Sequence, residues 1–426
     1  MPSEIDMLRT LNPEPDQPSA VDIQRAIASG RRRRTLRGVG VGSVAAVTTL
    51  AVAGVAFALH PSGTTPSQNL AGDSPSGKAT VTAKGDYAIP GTPGWTVPKA
   101  TAPTNCTLQQ LPVPGNVAQS LVSGADPTGK YIVGRSYPNG GYQVVIWTDG
   151  KGENVQIPGD DQLLQDVNSS GVAVGWTNIP EGGGKSIQQP YAYANGKVTK
   201  LKGVAEGAAH GINEAGAIAG DDDSGDALVW PSLTADPIKL PLPAGAKSAS
   251  VGGIDEDGTV VGVLDNKTPY AWFADGTHRA LVLPTIDGKK AVSGLVYGIR
   301  GGWVTGLANT SDNPADNPAA GVQAKKAAGV GTPVRWNLRA GKAEVFKDIK
   351  NAPYDVNGQG WEVGNDPQGR AVLATGGKTV VLPPLVASAQ NPNSNIPSTV
   401  TDDGRIIGGQ SDDAADVIHA VVWNCK

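Results

Sequence analysis

The chain has 426 residues, of which 57 are Gly and 33 are Pro, and only 17% are charged. That composition excludes a helical bundle and suits many short strands joined by tight turns, in one large domain or two to three ordinary ones. A formal net charge of −4 excludes an extended nucleic-acid surface, which needs clustered Lys and Arg.

The first segment, residues 1–37, holds neither His nor Cys, so it cannot be a zinc-binding module. Within it "PSAVDIQRAIASG" (18–30) has the form of a short helix, with Ser19 as N-cap and Gly30 as stop. Arg31 to Arg34 and Arg37 then make the one dense basic cluster. Immediately after comes "GVGVGSVAAVTTLAVAGVAFAL" (38–59), which carries no charge and, rising ~1.5 Å per residue as a helix, spans the ~30 Å hydrocarbon layer. One transmembrane helix is therefore expected. Arginines precede it and only Lys78 and Lys84 follow before residue 85, which puts the N-terminus in the cytoplasm and everything from His60 outside the cell membrane. Two alternatives export the same domain. Cleavage after "AFA" (56–58) gives a secreted form, against which the 37 preceding residues speak. A twin-arginine signal at "RRTLR" (33–37) has a charge where such signals usually carry an apolar residue.

Residues 60–105 are rich in Pro, Gly, Ser and Thr and read as a linker, with too few large apolar side chains to offset the entropy of ordering up to about residue 85. "YAIPGTPGWTVP" (87–98) differs, because Tyr87 and Trp95 give it the means to dock on the domain. The domain itself is expected to stay folded without residues 1–100.

From residue 106 to 426 an internal repeat sets the fold. Seven segments share a turn that usually opens with Asp or Asn and contains Gly, followed by a short strand closing on Gly: "DPTGKYIVG" (126–134), "NSSGVAVG" (168–175), "NEAGAIAG" (213–220), "DEDGTVVG" (255–262), "RGGWVTG" (300–306), "NGQGWEVG" (357–364) and "TDDGRIIG" (401–408). Asp and Asn side chains bond the backbone two residues on and Gly takes the left-handed position, so each is a hairpin turn. A third strand follows, ending on Trp147, Tyr193, Trp230, Trp272, Trp336 and Trp423, with Leu373 as the departure in the sixth unit. A fourth strand ends on Leu-Pro or similar. Four short antiparallel strands per unit, repeated seven times, predict an all-β, seven-bladed β-propeller with the aromatic residues packed between blades.

"GIDEDGTVVG" with "YAWFADG", and "DDGRIIG" with "HAVVW", resemble the HAF-type extracellular repeat over residues 106–426; of that repeat's His-Ala-Phe-Leu-Trp strand, only His419 keeps the His and Phe is replaced throughout. The resemblance implies the propeller fold and an exported location, and it brings no catalytic residue. "MLRTLNPEPDQPS" (7–19) before an Arg run is similar to the tails of actinobacterial single-pass membrane proteins.

The seventh unit stops at Lys426 after its third strand, while "CTLQQLPVP" (106–114) supplies a fourth-strand ending before the first unit. The N-terminal segment is expected to complete blade seven. Aligning Leu111-Pro112 with Leu283-Pro284, and Trp423 with Trp272, puts Cys106 at the place of His278 and Cys425 at that of Ala274, on either side of a missing turn. A Cys106–Cys425 disulfide is expected there, in keeping with an oxidising exterior.

Function is less legible. None of His60, His210, His278 and His419 shows metal-ligand spacing, and no nucleophile or phosphate-loop motif is present. The second-to-third connections are the longest, including "WTNIPEGGGKSIQQ" (176–189), "DDDSGD" (221–226) and the stretch 308–332, whose residues 309–331 read as an insertion in blade five. Function concentrates on such loops, so Trp176, Asp221, Asp222, Asp223, Asp226, Asp412, Asp413 and Asp416 are the candidate ligand-binding residues. Ca²⁺ at the acidic run is the only cofactor to weigh, and "DDDSGDA" lacks the EF-hand spacing and distal Glu. The expected object is a monomeric, non-enzymatic propeller tethered outside the cell, binding a protein, peptide or glycan. The alternatives are an exported hydrolase or lyase with a central funnel site, and a sensor signalling through the cytoplasmic tail; a polar axial pocket with converging carboxylates or histidines would favour the enzyme.

Overall fold

Residues 85–182, 185–311, 331–350, 353–386 and 395–426 are described in a computed structural model. The expected tail and membrane-spanning segment lie outside them, and no helix among the described residues is long and apolar enough to cross a membrane.

Seven four-stranded antiparallel sheets are present. Their first strands are Ser120–Ala125, Asp160–Val167, Gly207–Ile212, Ala249–Ile254, Ser293–Arg300, Asp355–Val356 and Ile396–Val400, which number blades 1 to 7. First strands of successive blades touch, and that of blade 7 touches that of blade 1, so the ring closes. The strands of each sheet follow chain order except in blade 7, whose outer strand is Cys106–Gln110 paired with Ile418–Cys425. The chain ends thus share one sheet, and Cys106 and Cys425 stand opposite each other and are disulfide-bonded.

The register corrects one alignment without disturbing its conclusion. Leu281 donates its N–H to Pro269 and Leu111 donates to Ala420 in the corresponding place, so Leu111 matches Leu281, not Leu283. The two leucines of "LVLP" sit two residues apart, and the Pro drew the alignment to the wrong one. Cys106 therefore matches Gly276, and with Cys425 at the Ala274 position the disulfide replaces the Ala274–Gly276 turn of blade 4.

Three features of the repeat explain the stacking. The third-strand Trp147, Trp230, Trp272, Trp336 and Trp423 are fully buried. Each donates its indole N–H to a carbonyl just beyond the outer strand of the preceding blade: Pro112, Lys202, Pro241, Val282 and Pro383, at 2.6 to 2.8 Å. Buried indoles need such a partner. The closing Gly lets the second strand pass under this ring, since a Cβ on Gly134 would overlap the Leu121 carbonyl oxygen and press on Trp147. In blade 7 that role falls to Gly409 and not Gly408, because the turn there is one residue longer; Gly409 pairs with Val421 two residues before Trp423. In blade 6 the place of the Trp is taken by Ala374, opposite Glu362, one residue beyond Leu373.

The turn-opening Asp or Asn does more than shape its own turn. Asn168 donates its side-chain amide to the Asn213 carbonyl, and Asn213 donates to that of Asp255. The Asp255 carboxylate accepts from the Gly301 and Gly302 N–H groups. Asn357 donates to Thr401, and the Asp402 N–H returns to Pro127 of blade 1. These bonds tie successive turns along one face of the ring.

Residues 85–105, placed by sequence in the linker, lie along this turn face. Gly85 bonds Gly276, the Tyr87 hydroxyl donates to Thr277, and Ile89 is buried among Ala217, Val260 and Trp272. Thr92 bonds Glu256, the Trp95 carbonyl accepts from Arg339, and the Pro98 carbonyl accepts from Gln359. Thr104 reaches Lys426. The strap runs from blade 4 to blade 7, tied at each step. A chain beginning at Thr101 is accordingly expected to fold but to lose about 2 kcal/mol relative to one beginning at Ala83, chiefly the burial of Ile89. Denaturant melts of the two forms check this, and equal midpoints would show that the strap contributes nothing.

Candidate functional site: the axial cavity

The first strands of all seven blades line one cavity of about 290 Å³. In blades 1, 2, 3, 4, 5 and 7 the first strand carries a β-bulge, at Ser123, Gln165, His210, Gly252, Tyr297 and Ser398. A bulge bends its strand and re-aims a side chain. Each bulged residue lies three positions before the residue that opens the repeat turn, Tyr354 takes that place in blade 6, and all seven line the cavity. One position further on come Gly124, Asp166, Gly211, Gly253, Gly298, Asp355 and Thr399, which line it too.

Two carboxylates stand on this second level and line the cavity. Asp166 accepts from the N–H groups of Val167 and Ile212, and Asp355 from those of Val356 and Val400, so each ties its own strand to the next blade. Burial pushes the Asp166 carboxyl up to about 7; the two N–H groups oppose this, Asp355 adds to it and Arg300 opposes it. His210 is buried, its side chain 1% exposed, with Nε2 3.0 Å from Asp221 Oδ2 but neither ring nitrogen in a hydrogen bond.

At the turn face the cavity ends on Arg300. Its guanidinium bonds Glu256 of blade 4 and Asp402 of blade 7, and the Trp95 ring of the strap lies 4.6 Å over it. Burial works against the charge of Arg300, but Asp402 and Glu256 outweigh it and hold it charged. Burial raises Glu256 in turn, and Arg300 opposes the rise. At the opposite end stand Arg135, paired with Asp161 at 2.7 Å, together with Tyr142 and Trp176.

Of the candidates from sequence, Trp176 lines the cavity and Asp221 contacts it through His210. The rest are at the periphery. Asp222 accepts the Asp226 N–H, and Asp226 pairs with Lys239 at 2.5 Å. Asp223 donates its N–H to the Glu206 carbonyl. Asp413 accepts from Ala415 and Val417 and meets His419 Nε2 at 2.8 Å, while Asp416 occupies a left-handed turn position. Burial pushes Asp412 up to about 6, with Asp416 and Asp413 adding to it. Blades 3 and 7 stand three places apart in the ring, so the two acidic turns do not join in one patch. Nor are the connections all loops: 176–189 continues the paired strands Ala173–Gly182 and Lys185–Ala194, with Ile179 opposite Ile187, and 221–226 is a tight turn with Gly225 at φ 82°. The insertion lies largely outside the described residues, but its flanks are neighbouring strands, with Ala308 opposite Thr332. Among the described residues no group of three or more His, Cys, Asp or Glu side chains is placed to hold a metal ion.

No protein-family model matches the chain, and no curated protein matches it. Among solved structures it is similar to virginiamycin B lyase from Staphylococcus aureus, at 13% identity and a TM-score of 0.48, covering 76% of this chain and 100% of that one. It is also similar to Chaetomium thermophilum Raptor, at 9% identity and a TM-score of 0.48, covering 76% of this chain but only 30% of Raptor. U3-55K gives 9% identity and a TM-score of 0.47, with 76% and 100% covered. The blade count rests on the chain's own sheet topology.

Proposed function

We propose that this chain is an exported binding module, tethered by residues 38–59, which takes a small polar molecule or a side chain of a larger ligand into its axial cavity from the end bordered by Arg135, Tyr142 and Trp176. The observation that carries this is the cavity wall: seven first strands converge on one enclosed volume, with buried polar groups where packing alone would favour apolar ones. Arg300, bridged to Asp402 and covered by Trp95 of the strap, stands at the other end. The Cys106–Cys425 disulfide and the likeness of the repeats to HAF-type extracellular repeats support the exported location.

A second reading, an exported hydrolase or lyase, is the one a polar axial pocket with carboxylates and a histidine favours; it stands second because Asp166 and Asp355 each accept from two backbone N–H groups that tie neighbouring blades, a structural role. His210 lies beside Asp221 with neither ring nitrogen hydrogen-bonded, in the wall that also holds Asp166, whose carboxyl burial pushes up to about 7. Recovering a bound ligand unchanged after prolonged incubation supports the binding module, and turnover supports the enzyme.

The site itself is tested by filling it. Gly298 has no left-handed backbone requirement, and a Cβ there would meet only Asp355 Oδ1, at 3.7 Å. Gly298→Leu is expected to fold and to abolish the thermal shift given by polar small-molecule ligands of the unmodified protein. Ligands whose shift survives this substitution would place binding outside the cavity.

A further inference from the structure

We propose that the axial cavity selects an organic cation, a primary ammonium or guanidinium group on a short chain, with Asp166 and Asp355 as its counter-charges; this rests on the cavity being the ligand site. Six carboxylates line the cavity against two guanidinium groups. Arg135 is engaged by Asp161, and Arg300 by Glu256 and Asp402. Of the six, Asp166 and Asp355 stand at the axial level of the first strands, where a low-dielectric wall rich in one sign of charge concentrates its field.

Two independent features agree with a cation that carries several N–H donors. His210 stands in the wall with its side chain 99% buried and neither ring nitrogen in a hydrogen bond, although Nε2 lies 3.0 Å from Asp221 Oδ2, so the neutral imidazole has an acceptor nitrogen to offer. Tyr142, Trp176, Tyr297 and Tyr354 line the same cavity, and aromatic faces attract ammonium and guanidinium groups. Binding a cation beside Asp166 also favours its ionised form, so affinity should rise as pH increases through about 7, the pKa to which burial brings that carboxyl, with Asp355, Arg300 and His210 the other charged or titratable groups facing it.

The probe is agmatine, which carries both head groups on a four-carbon chain, titrated calorimetrically into the protein beside its neutral analogue N-butylurea and the anion butyrate. Agmatine should bind, at least tenfold more tightly than either comparator, and Gly298→Leu should abolish the binding. Gln165 lines the cavity with its side-chain Oε1 buried and without a hydrogen-bond partner, so Gln165→Lys should place a tethered ammonium there. It is expected to weaken agmatine at least tenfold and to raise the melting temperature by a few degrees. A strong fall in melting temperature for Gln165→Lys, or no detectable agmatine binding, overturns the proposal. Preference for N-butylurea or butyrate, lost in Gly298→Leu, overturns the cation class while leaving the cavity as the site. Agmatine binding untouched by Gly298→Leu overturns both.

Discussion

Cys106→Ser and Cys425→Ser are each expected to lower the unfolding free energy by ~5 kcal/mol, the loop-closure entropy of a long cross-link, here one joining residues 319 apart. Few single changes on the surface of a folded domain approach that size. The bond holds the outer strand Cys106–Gln110 on Ile418–Cys425 where no covalent turn joins them, and losing it leaves only the strand pairing to keep the ring closed. The double substitution is expected to be no worse than either single one, because each removes the same bond. Non-reducing peptide mapping should find one linked pair and no free thiol. Strongly additive single effects would show that the two cysteines act separately, against ring closure by this bond.

Glu362→Gln is expected to stabilise the protein by several kcal/mol above pH 8 and by little below pH 4.5. Glu362 occupies a second-strand position that is apolar in the other blades, where Ile132, Ala173, Ile218, Val260, Val304 and Ile407 stand opposite the aromatic residue. Ala374 faces it instead, and neither carboxyl oxygen has a hydrogen-bond partner. Burial pushes its carboxyl from the ordinary 4.5 to about 8; Thr305 and Arg335 oppose the shift, while Asp355 and Glu344 add to it. Because the folded pKa is the higher one, folding takes up a proton. The stability tied to the neutral acid is complete below about 4.5 and lost as pH rises to about 8, at roughly 1.4 kcal/mol per pH unit. Gln keeps the shape without the charge. The difference in unfolding free energy between the two proteins, followed from pH 4 to 9, isolates this group from Asp166. A flat difference would mean that Glu362 is ionised in the folded state and has a partner.

The blades were legible because each rests on a local signal repeated at a nearly fixed interval. The closing Gly and the third-strand Trp belong to one contact, in which a backbone passes under an indole, so both had to recur. What could not be read was the second function of familiar residues. Asn168 and Asn213 look like turn residues, yet their amides also bind the next blade. The cavity wall leaves only a faint trace in the sequence: its residues sit two and three places before the turn opener in every unit, but they vary from Gly to Tyr, because the axis needs no common packing there. The acidic turns are the more conspicuous feature, since Asp clusters stand out in a chain with few charges. Asp222, Asp226 and Asp413 turn out to be committed to turns and local ion pairs. Within residues 85–105 only Tyr87 and Trp95 point to docking in sequence, because one Ile, one Tyr and one Trp among Pro and Gly give no periodic pattern; Ile89 enters a core cluster, and Tyr87, Ala100 and Ala102 pack against core clusters.

The most direct test of the axial cavity as a cation site is a structure of the protein determined with agmatine bound. The guanidinium or ammonium group is expected on the axis between Asp166 and Asp355, against the aromatic wall, with the Arg300 bridges to Glu256 and Asp402 intact. Agmatine lodged at the acidic turns of blades 3 or 7, with the cavity empty, would contradict it.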